Sequence, residues 1–247
     1  MHQRIFLSLG IVATSAFGCL AADASKLPGG TWASIQKLPE LNGIWETTPL
    51  GDPRGLPNPG QLSLTPKYAA MRKEFQSNPA RDSPQANCVP PGMPGIMDQP
   101  YPIEILYTPG MVVLIAEAYM QVRHIFTDGR NHPDDPDLTY NGNSIGHWDG
   151  DTLVVDSVGF VKDTPLGRNM EARHSEKMHI VERFHLKDPN TLQVNTTIDD
   201  PAAFAKPWTG TLNYARHPDW TMEEYICQQN NRNFVDANGK AGINLKP

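Results

Sequence analysis

Alternation of apolar and polar residues dominates the chain after residue 102 and predicts β-strands rather than helices. Short turn sequences separate these runs, such as Asp149-Gly150 between two apolar segments. The predicted strands, about eight in all, cover residues 103–108, 112–126, 144–148, 152–159, 177–186, 191–199, 208–215 and 222–227. Because no helix-length segment lies between them, we predict an antiparallel meander.

Closure into a barrel removes the exposed edges that such a meander would otherwise present. We therefore predict a mainly β fold, a single antiparallel barrel of the calycin or lipocalin-like type. Gly43 and Trp45 near its start are typical of a calycin first strand. A two-sheet sandwich is the alternative architecture.

Residues 49–102 are rich in proline and predict an irregular chain that wraps around the barrel. One short helix is expected inside this segment, with Thr65 as its N-cap and Pro66 at its first position. Its apolar face carries Tyr68, Met71 and Phe75.

The first 22 residues predict a secretory signal peptide, which leaves residues 23–247 as one barrel domain. Arg4 precedes an apolar stretch, and small residues follow at the expected cleavage site. The stretch is too short and too polar for a membrane-spanning helix, which needs about 20 apolar residues. Lipidation of Cys19 is the alternative.

Composition narrows the possible functions and the compartment. The 247-residue chain has a net charge of −6, which argues against a nucleic-acid partner. Removal of the signal peptide leaves Cys88 and Cys227, and two remaining cysteines in an oxidising compartment favour one disulfide. Two unrelated thiols are the alternative. We expect a periplasmic or secreted protein.

Strand parity suggests which polar side chains share the barrel interior, since successive residues of a strand point to opposite faces. In the predicted strand 112–126 one face carries Glu117, Tyr119 and Arg123, which could line a ligand pocket or face solvent. His124 lies on the opposite face of that strand. His147 and Trp148 lie on the next predicted strand, 144–148. These six residues form the candidate ligand-binding set, together with Arg130 in a charged loop.

Two carboxylates stand among apolar neighbours on predicted strands. Glu182 is the lone charge on a face with Ile180 and Phe184, and Asp156 shares a face with Val154. A buried carboxylate needs a cationic partner, or desolvation favours its protonated form, which could exchange protons with a ligand. For Glu182 the structural alternative is an ion pair with Arg123, Arg130 or Arg183.

Two histidines in one region, His174 and His179, are the candidates for the acid that would complement such a base. The histidines lack metal-ligand spacing, so we predict no metal site. We also predict no cofactor, because the chain has neither a phosphate-binding loop nor a dinucleotide fingerprint.

Several strings resemble those of an uncharacterised family of secreted, β-rich bacterial proteins. The longest is SIGHWDGDTLVVDS at residues 144–157, and shorter ones lie at 127–133, 182–184, 199–201 and 207–208. The resemblance spans residues 40–232 and implies an exported β-rich protein. It implies no particular activity or catalytic residue.

Together these patterns predict a cofactor-independent lyase or isomerase that acts on a small aromatic or cyclic organic compound. Its catalytic residues would be Glu182 or Asp156 as base and His179 or His174 as acid, inside a barrel pocket. The alternatives are a lipocalin-like binding protein without turnover and an exported interaction module. The predicted partner is a small molecule, and the sequence leaves the oligomeric state open.

Overall fold

Nine strands of the chain form a closed barrel. The computed structural model describes residues 23–47, 62–77, 88–167, 172–230, 233–235 and 241–243. The mainly β class and the barrel are thus confirmed, and the sandwich alternative is wrong. The predicted signal peptide and Cys19 lie outside the described residues, as does much of the proline-rich segment.

The barrel strands follow one another around the wall in chain order. They are β1 (Gly43–Thr47), β2 (Ile103–Thr108), β3 (Met111–Ala116), β4 (Gln121–Phe126), β5 (Asn143–Asp149), β6 (Thr152–Val158), β7 (His179–Asp188), β8 (Thr191–Asp199) and β9 (Trp208–Arg216). Two further strands, β10 (Asn233–Val235) and β11 (Ala241–Ile243), pair with each other. The α-helices of the described residues are α1 (Trp32–Ile35) and α2 (Pro66–Ser77).

One seam of the barrel departs from the predicted meander. β4 and β5 pair in parallel, through Ile125 with Ser144 and Phe126 with Ile145. All other neighbouring strands of the barrel are antiparallel. A parallel pair requires a crossover, because the chain must return to the end at which the first strand began. Residues 127–142 provide this crossover, so the prediction of a fully antiparallel barrel is wrong here.

The predicted strand 112–126 is in fact two strands joined by a tight turn. A 3₁₀ turn spans Ala118–Met120, and both Tyr119 (φ 59°) and Met120 (φ 49°) adopt left-handed backbone conformations. The turn reverses the chain and places Leu114 opposite Arg123 on the same face of the sheet. The single-strand parity used for Glu117 and Tyr119 was therefore wrong.

The final predicted strand, 222–227, is also absent from the structure. Residues 221–226 are irregular and lead into a 3₁₀ turn at Cys227–Asn230. The physical reason is closure, because β9 already pairs with β1 and leaves the barrel no open edge for another strand.

The predicted helix is confirmed as α2, and Tyr68 and Phe75 on its inner face are buried. Residues 91–97 add a second covering element, which is buried throughout. Met93, Ile96 and Met97 of this segment belong to the same core as the barrel side chains. The Tyr214 hydroxyl on β9 donates to the carbonyl of Met97 at 2.7 Å.

A disulfide joins Cys88 to Cys227, with the two Cα atoms 5.6 Å apart and a sequence separation of 139. This confirms the predicted bridge. It ties the segment that precedes the buried stretch 91–97 to the chain that follows β9. In the loop-entropy view, a bridge across so long a loop restricts the unfolded chain strongly.

Backbone pairing of β1 with β9 closes the barrel, and the side chain of Arg216 in β9 adds contacts at this seam. The guanidinium lies 4.2 Å from the ring of Trp45. It donates to the carbonyls of Asn42 at 2.8 Å, Glu40 at 2.5 Å and Pro189 at 2.9 Å. A planar group with donors on three nitrogens suits this position better than a lysine would.

We expect Arg216→Ala to lower the free energy of unfolding by about 2 kcal/mol, because three hydrogen bonds and the stacking contact are lost together. Urea unfolding monitored by circular dichroism measures this. Arg216→Lys is the control, since it keeps the charge but not the planar set of donors, and it should recover only a small part of the loss. Equal stability of the wild type and Arg216→Ala would contradict the role assigned to Arg216.

Candidate functional site

The barrel interior is packed with side chains rather than open to a ligand. Trp45, Leu114, Ile180, Phe184 and Tyr214 are each at most 2% exposed and form a continuous core. The side chains expected to share one enclosed space do not all face this core. Of the three carboxylates predicted to look into it, Glu182 alone is on the inner face, whereas Asp156 and Glu117 are partly exposed.

Glu182 forms a buried ion pair with Arg123, which was one of the three partners considered. Arg123 Nη2 lies 2.5 Å from Glu182 Oε2, and the two side chains are 3% and 1% exposed. Arg130 and Arg183 pair elsewhere, with Asp128 and Asp149.

Two serine hydroxyls complete this buried cluster. Arg123 Nε donates to Ser144 at 3.0 Å, and its Nη2 donates to Ser157 at 2.9 Å. The two hydroxyls lie 2.8 Å apart. Arg123 Nη1, in contrast, is buried without a hydrogen-bond partner among the described residues. The cluster thus joins β4, β5, β6 and β7, and Glu182 acts there as a counter-charge.

Glu182→Gln is expected to destabilise the protein by about 3 kcal/mol, because it leaves the charge of Arg123 uncompensated in the core. The double variant Arg123→Met, Glu182→Leu removes both charges and should regain most of that loss. Chemical unfolding of both variants and the wild type measures the effect. If the double variant were less stable than Glu182→Gln, the role of Glu182 as a counter-charge would be refuted.

Asp156 lies on the outer wall, where its carboxylate binds two histidines at once. His132 Nε2 is 2.9 Å from Asp156 Oδ1, and His179 Nε2 is 2.9 Å from Asp156 Oδ2. The other ring nitrogen of His132, Nδ1, is 2.6 Å from Asn143 Oδ1. Asp156 and His179 are 40% and 41% exposed, and His132 is 19% exposed. We refer to His132, Asp156 and His179 as the His-Asp-His cluster.

Neighbouring elements of the wall create this cluster. Asp156 is on β6, and His179 opens β7, the next strand. His132 comes from the crossover 127–142, which folds back over β5 and β6. Asp156 as a candidate base and His179 as a candidate acid were predicted separately, and His132 and Asn143 were not predicted. Strand parity cannot place a crossover residue, although His132 lies in the charged stretch 127–137 directly after β4.

A cleft in the barrel wall lies on the other side of Asn143. It has a volume of about 380 Å³, within the range of small-molecule sites. It is lined by Gln121, Val122, Arg123, His124, Phe126 and residues 139–144. β4 and β5 are paired at two positions. Beyond these pairs, β4 and the end of the crossover separate, and the cleft lies between them. Asn143 lines this wall cleft and also contacts the His-Asp-His cluster.

Two residues of the predicted binding set, Arg123 and His124, line the wall cleft, and Arg130 lies next to it. His124 is exposed and lines the cleft directly. Arg130 lies outside the lining, but its guanidinium packs 3.8 Å from the ring of Phe126, which does line it. Asp128 holds Arg130 in place at 2.6 Å.

The other predicted binding residues lie away from the cleft. Glu117 Oε2 accepts a bond from the backbone of Glu223 at 2.9 Å. Tyr119 packs on Tyr225 with ring centroids 5.2 Å apart. His147 is exposed on β5, and Trp148 packs edge-on against Tyr107 at 5.9 Å. None of these side chains is among the described residues that line the cleft.

His174, one of the two predicted acids, is fully buried. Its Nε2 lies 2.5 Å from Thr164 Oγ1, and its Nδ1 lies 2.8 Å from the carbonyl of Ser175. Desolvation lowers the pKa of His174 below its ordinary value, although the Ser175 carbonyl acts in the opposite direction. A neutral, enclosed imidazole stabilises the fold here and does not meet a ligand.

The pKa of His174 is lower in the folded protein than in the unfolded chain, so the imidazole of His174 binds a proton more readily when the chain is unfolded. The contribution of neutral His174 to the free energy of unfolding is therefore complete above the pKa of the unfolded chain, about 6.5. It is lost as the pH falls toward the lower pKa of the folded protein. One such group gives a slope of at most about 1.4 kcal/mol per pH unit. Urea unfolding between pH 7 and pH 5 should show a flatter pH dependence for His174→Gln than for the wild type.

His185→Gln is the control for this measurement, because His185 on β7 is half-buried. The slope of His174→Gln is compared with the slopes of this variant and of the wild type. Identical slopes for His174→Gln and the wild type would show that burial of His174 does not control acid stability.

Over the described residues, no group of three or more His, Cys, Asp or Glu side chains is arranged to hold a metal ion. In the His-Asp-His cluster, each Nε2 instead makes its hydrogen bond to the carboxylate. Within the described ranges, the helices fall short of the length and hydropathy that crossing a membrane requires. No protein-family model matches the chain, and comparison with curated proteins finds no significant match.

Proposed function

We propose that this protein is an exported, cofactor-independent enzyme that performs acid-base chemistry on a small aromatic or cyclic compound, as a lyase or isomerase. The reaction would take place on the outer wall, where the His-Asp-His cluster adjoins the wall cleft. The observation that carries the proposal is the position of the Asp156 carboxylate, 2.9 Å from two imidazoles.

His179 is the group proposed to exchange a proton with the ligand. Asp156 accepts the hydrogen of Nε2 and so orients the ring, which leaves Nδ1 as the proton acceptor. A carboxylate that holds one imidazole nitrogen while the other reacts is the arrangement of the acid-base pair in hydrolase triads. With 41% of its side chain exposed, His179 is accessible from solvent.

Asn143 connects the proton-exchanging group to the place where the ligand would lie. Its side chain lines the wall cleft, and its Oδ1 contacts His132, which in turn contacts Asp156. Phe126 and Tyr140 give the cleft aromatic side chains against which a ring could pack. The proposed site therefore has an apolar contact surface with a few oriented polar groups, as ligand sites commonly do.

Two of the predicted catalytic residues have no place in this proposal. Glu182 is held by Arg123 in the core, and His174 is enclosed by Thr164 and Ser175. Neither side chain is more than 1% exposed. Both are assigned to stability, which leaves Asp156 and His179 as the catalytic candidates.

A lipocalin-like binding protein without turnover is the second candidate. One observation favours it: the described residues that line the wall cleft include no aspartate or glutamate, so a bound ligand need not touch a carboxylate. Gly43 and Trp45 on β1 support the calycin type within the barrel class. Export rests on the predicted signal peptide and agrees with the disulfide between Cys88 and Cys227.

Proton exchange in D₂O tests the enzymatic proposal without knowledge of the natural substrate. Cyclic ketones, lactams and phenols are incubated with the protein, and deuterium incorporation at carbon is followed by NMR, because N–H and O–H protons exchange with water unaided. We expect Asp156→Asn to slow the exchange by a factor of about 10²–10⁴, because His179 loses the carboxylate that orients it.

His185→Gln is the matched control, since it changes a histidine of the same strand that lies outside the cluster. It should leave the exchange rate unchanged. If Asp156→Asn exchanged protons at the wild-type rate, the His-Asp-His cluster would be eliminated as the catalytic group. Binding without exchange by the wild type would select the binding protein instead.

A further inference from the structure

We propose that the wall cleft binds a neutral ring that presents a carbonyl oxygen next to an N–H or O–H group. Arg123 would donate to the carbonyl, and Asn141 would accept from the neighbouring donor. The inference rests on the function proposed above, since it names the class of ligand for the same cleft.

Two unsatisfied polar atoms belong to residues that line this cleft. Arg123 Nη1 is a donor, Asn141 Oδ1 is an acceptor, and each is buried without a partner among the described residues. Buried polar groups in folded proteins are nearly always hydrogen-bonded, because leaving them unpaired costs free energy. One donor and one acceptor at one cleft match a ligand with the complementary pair.

The orientation of the Asn141 amide is set by its other contacts. Its Nδ2 donates to the carbonyl of Val122 at 3.1 Å and to Gln121 Oε1 at 3.3 Å. The nitrogen must therefore face β4, which assigns the unsatisfied atom as oxygen. The ligand group opposite Asn141 must accordingly be a hydrogen-bond donor.

Charge favours a neutral ligand over an anion. The lining contains no lysine, aspartate or glutamate among the described residues, and Arg123 is already paired with Glu182 at 2.5 Å. A carboxylate bound to Arg123 would lie near that buried Glu182 carboxylate, and like charges in a water-poor site repel strongly. The amide side chains of Gln121, Asn141 and Asn143 instead suit neutral donors and acceptors.

A ligand can reach these atoms where the barrel wall is least tightly joined. Both atoms are closed off from water, so the cleft must widen before they are contacted. β4 and β5 share two paired positions, fewer than any other neighbouring strands of the described barrel. Beyond these pairs, the two bonds from Asn141 Nδ2 hold the crossover against β4.

The test compares 2-pyridone with N-methyl-2-pyridone, which keeps the ring and carbonyl but lacks the N–H donor. Binding to wild type, Asn141→Ala and the matched control Asn131→Ala is measured by NMR titration. Asn131 is an exposed asparagine of the same crossover. We expect 2-pyridone to bind the wild type and Asn131→Ala about tenfold more tightly than the methylated ring.

In Asn141→Ala the two rings should bind equally, because the acceptor for the N–H has been removed. A preference for 2-pyridone that persists in Asn141→Ala would overturn the inference, and so would tighter binding of benzoate than of 2-pyridone. Failure of 2-pyridone to bind the wild type at all would also overturn it. The comparison of the two rings with the wild-type protein does not depend on whether any variant folds.

Repeating the titrations in the Asp156→Asn background separates this inference from the proposed function. That variant lacks the proposed proton-exchanging pair but keeps both Arg123 and Asn141. Asn141-dependent binding without exchange by the wild type would support the ligand class and refute the enzyme. Exchange that depends on Asp156, without binding of 2-pyridone, would refute the ligand class and leave the enzyme standing.

Discussion

The buried ion pair between Arg123 and Glu182 holds together the part of the barrel that backbone hydrogen bonds join least. β4 and β5 share two paired positions, whereas β7 and β8 share nine. From β4, the guanidinium of Arg123 reaches Ser144 on β5, Ser157 on β6 and Glu182 on β7. Burial of two charges costs desolvation energy, and this cost is offset only when hydrogen bonds surround the pair, as the serines do here.

The same seam explains the position of the candidate site. Because β4 and β5 run in parallel, the chain must cross between them, and the crossover 127–142 passes over the outer wall. Where it approaches β5, its residues 139–142 line the wall cleft, and where it passes β6, it places His132 beside Asp156. The barrel interior is packed, and the candidate polar groups lie outside it, with Asp156 and His179 on the outer wall and His132 on the crossover.

The success of strand parity depended on how regular each strand was. It placed Glu182 correctly on the apolar face of β7, since that face is buried at Ile180, Glu182 and Phe184. It failed across residues 112–126, because a turn at Ala118–Met120 reverses the chain and restarts the alternation. It misplaced Asp156 because β6 has apolar residues on both faces, and Val154 and Val155 are both buried.

Local residue patterns were sufficient to predict the barrel class and α2, because alternation and capping residues each act within a short segment. They were also sufficient for the disulfide, because two cysteines allow a single pairing. They also brought Asp156 forward as a candidate base and His179 as a candidate acid, but not as partners. Packing decided the rest. The choice of Arg123 as the partner of Glu182, the approach of His132 to Asp156, and the cleft beside Asn141 all join distant segments. Such contacts depend on barrel closure and on a crossover whose path no periodicity in the chain encodes.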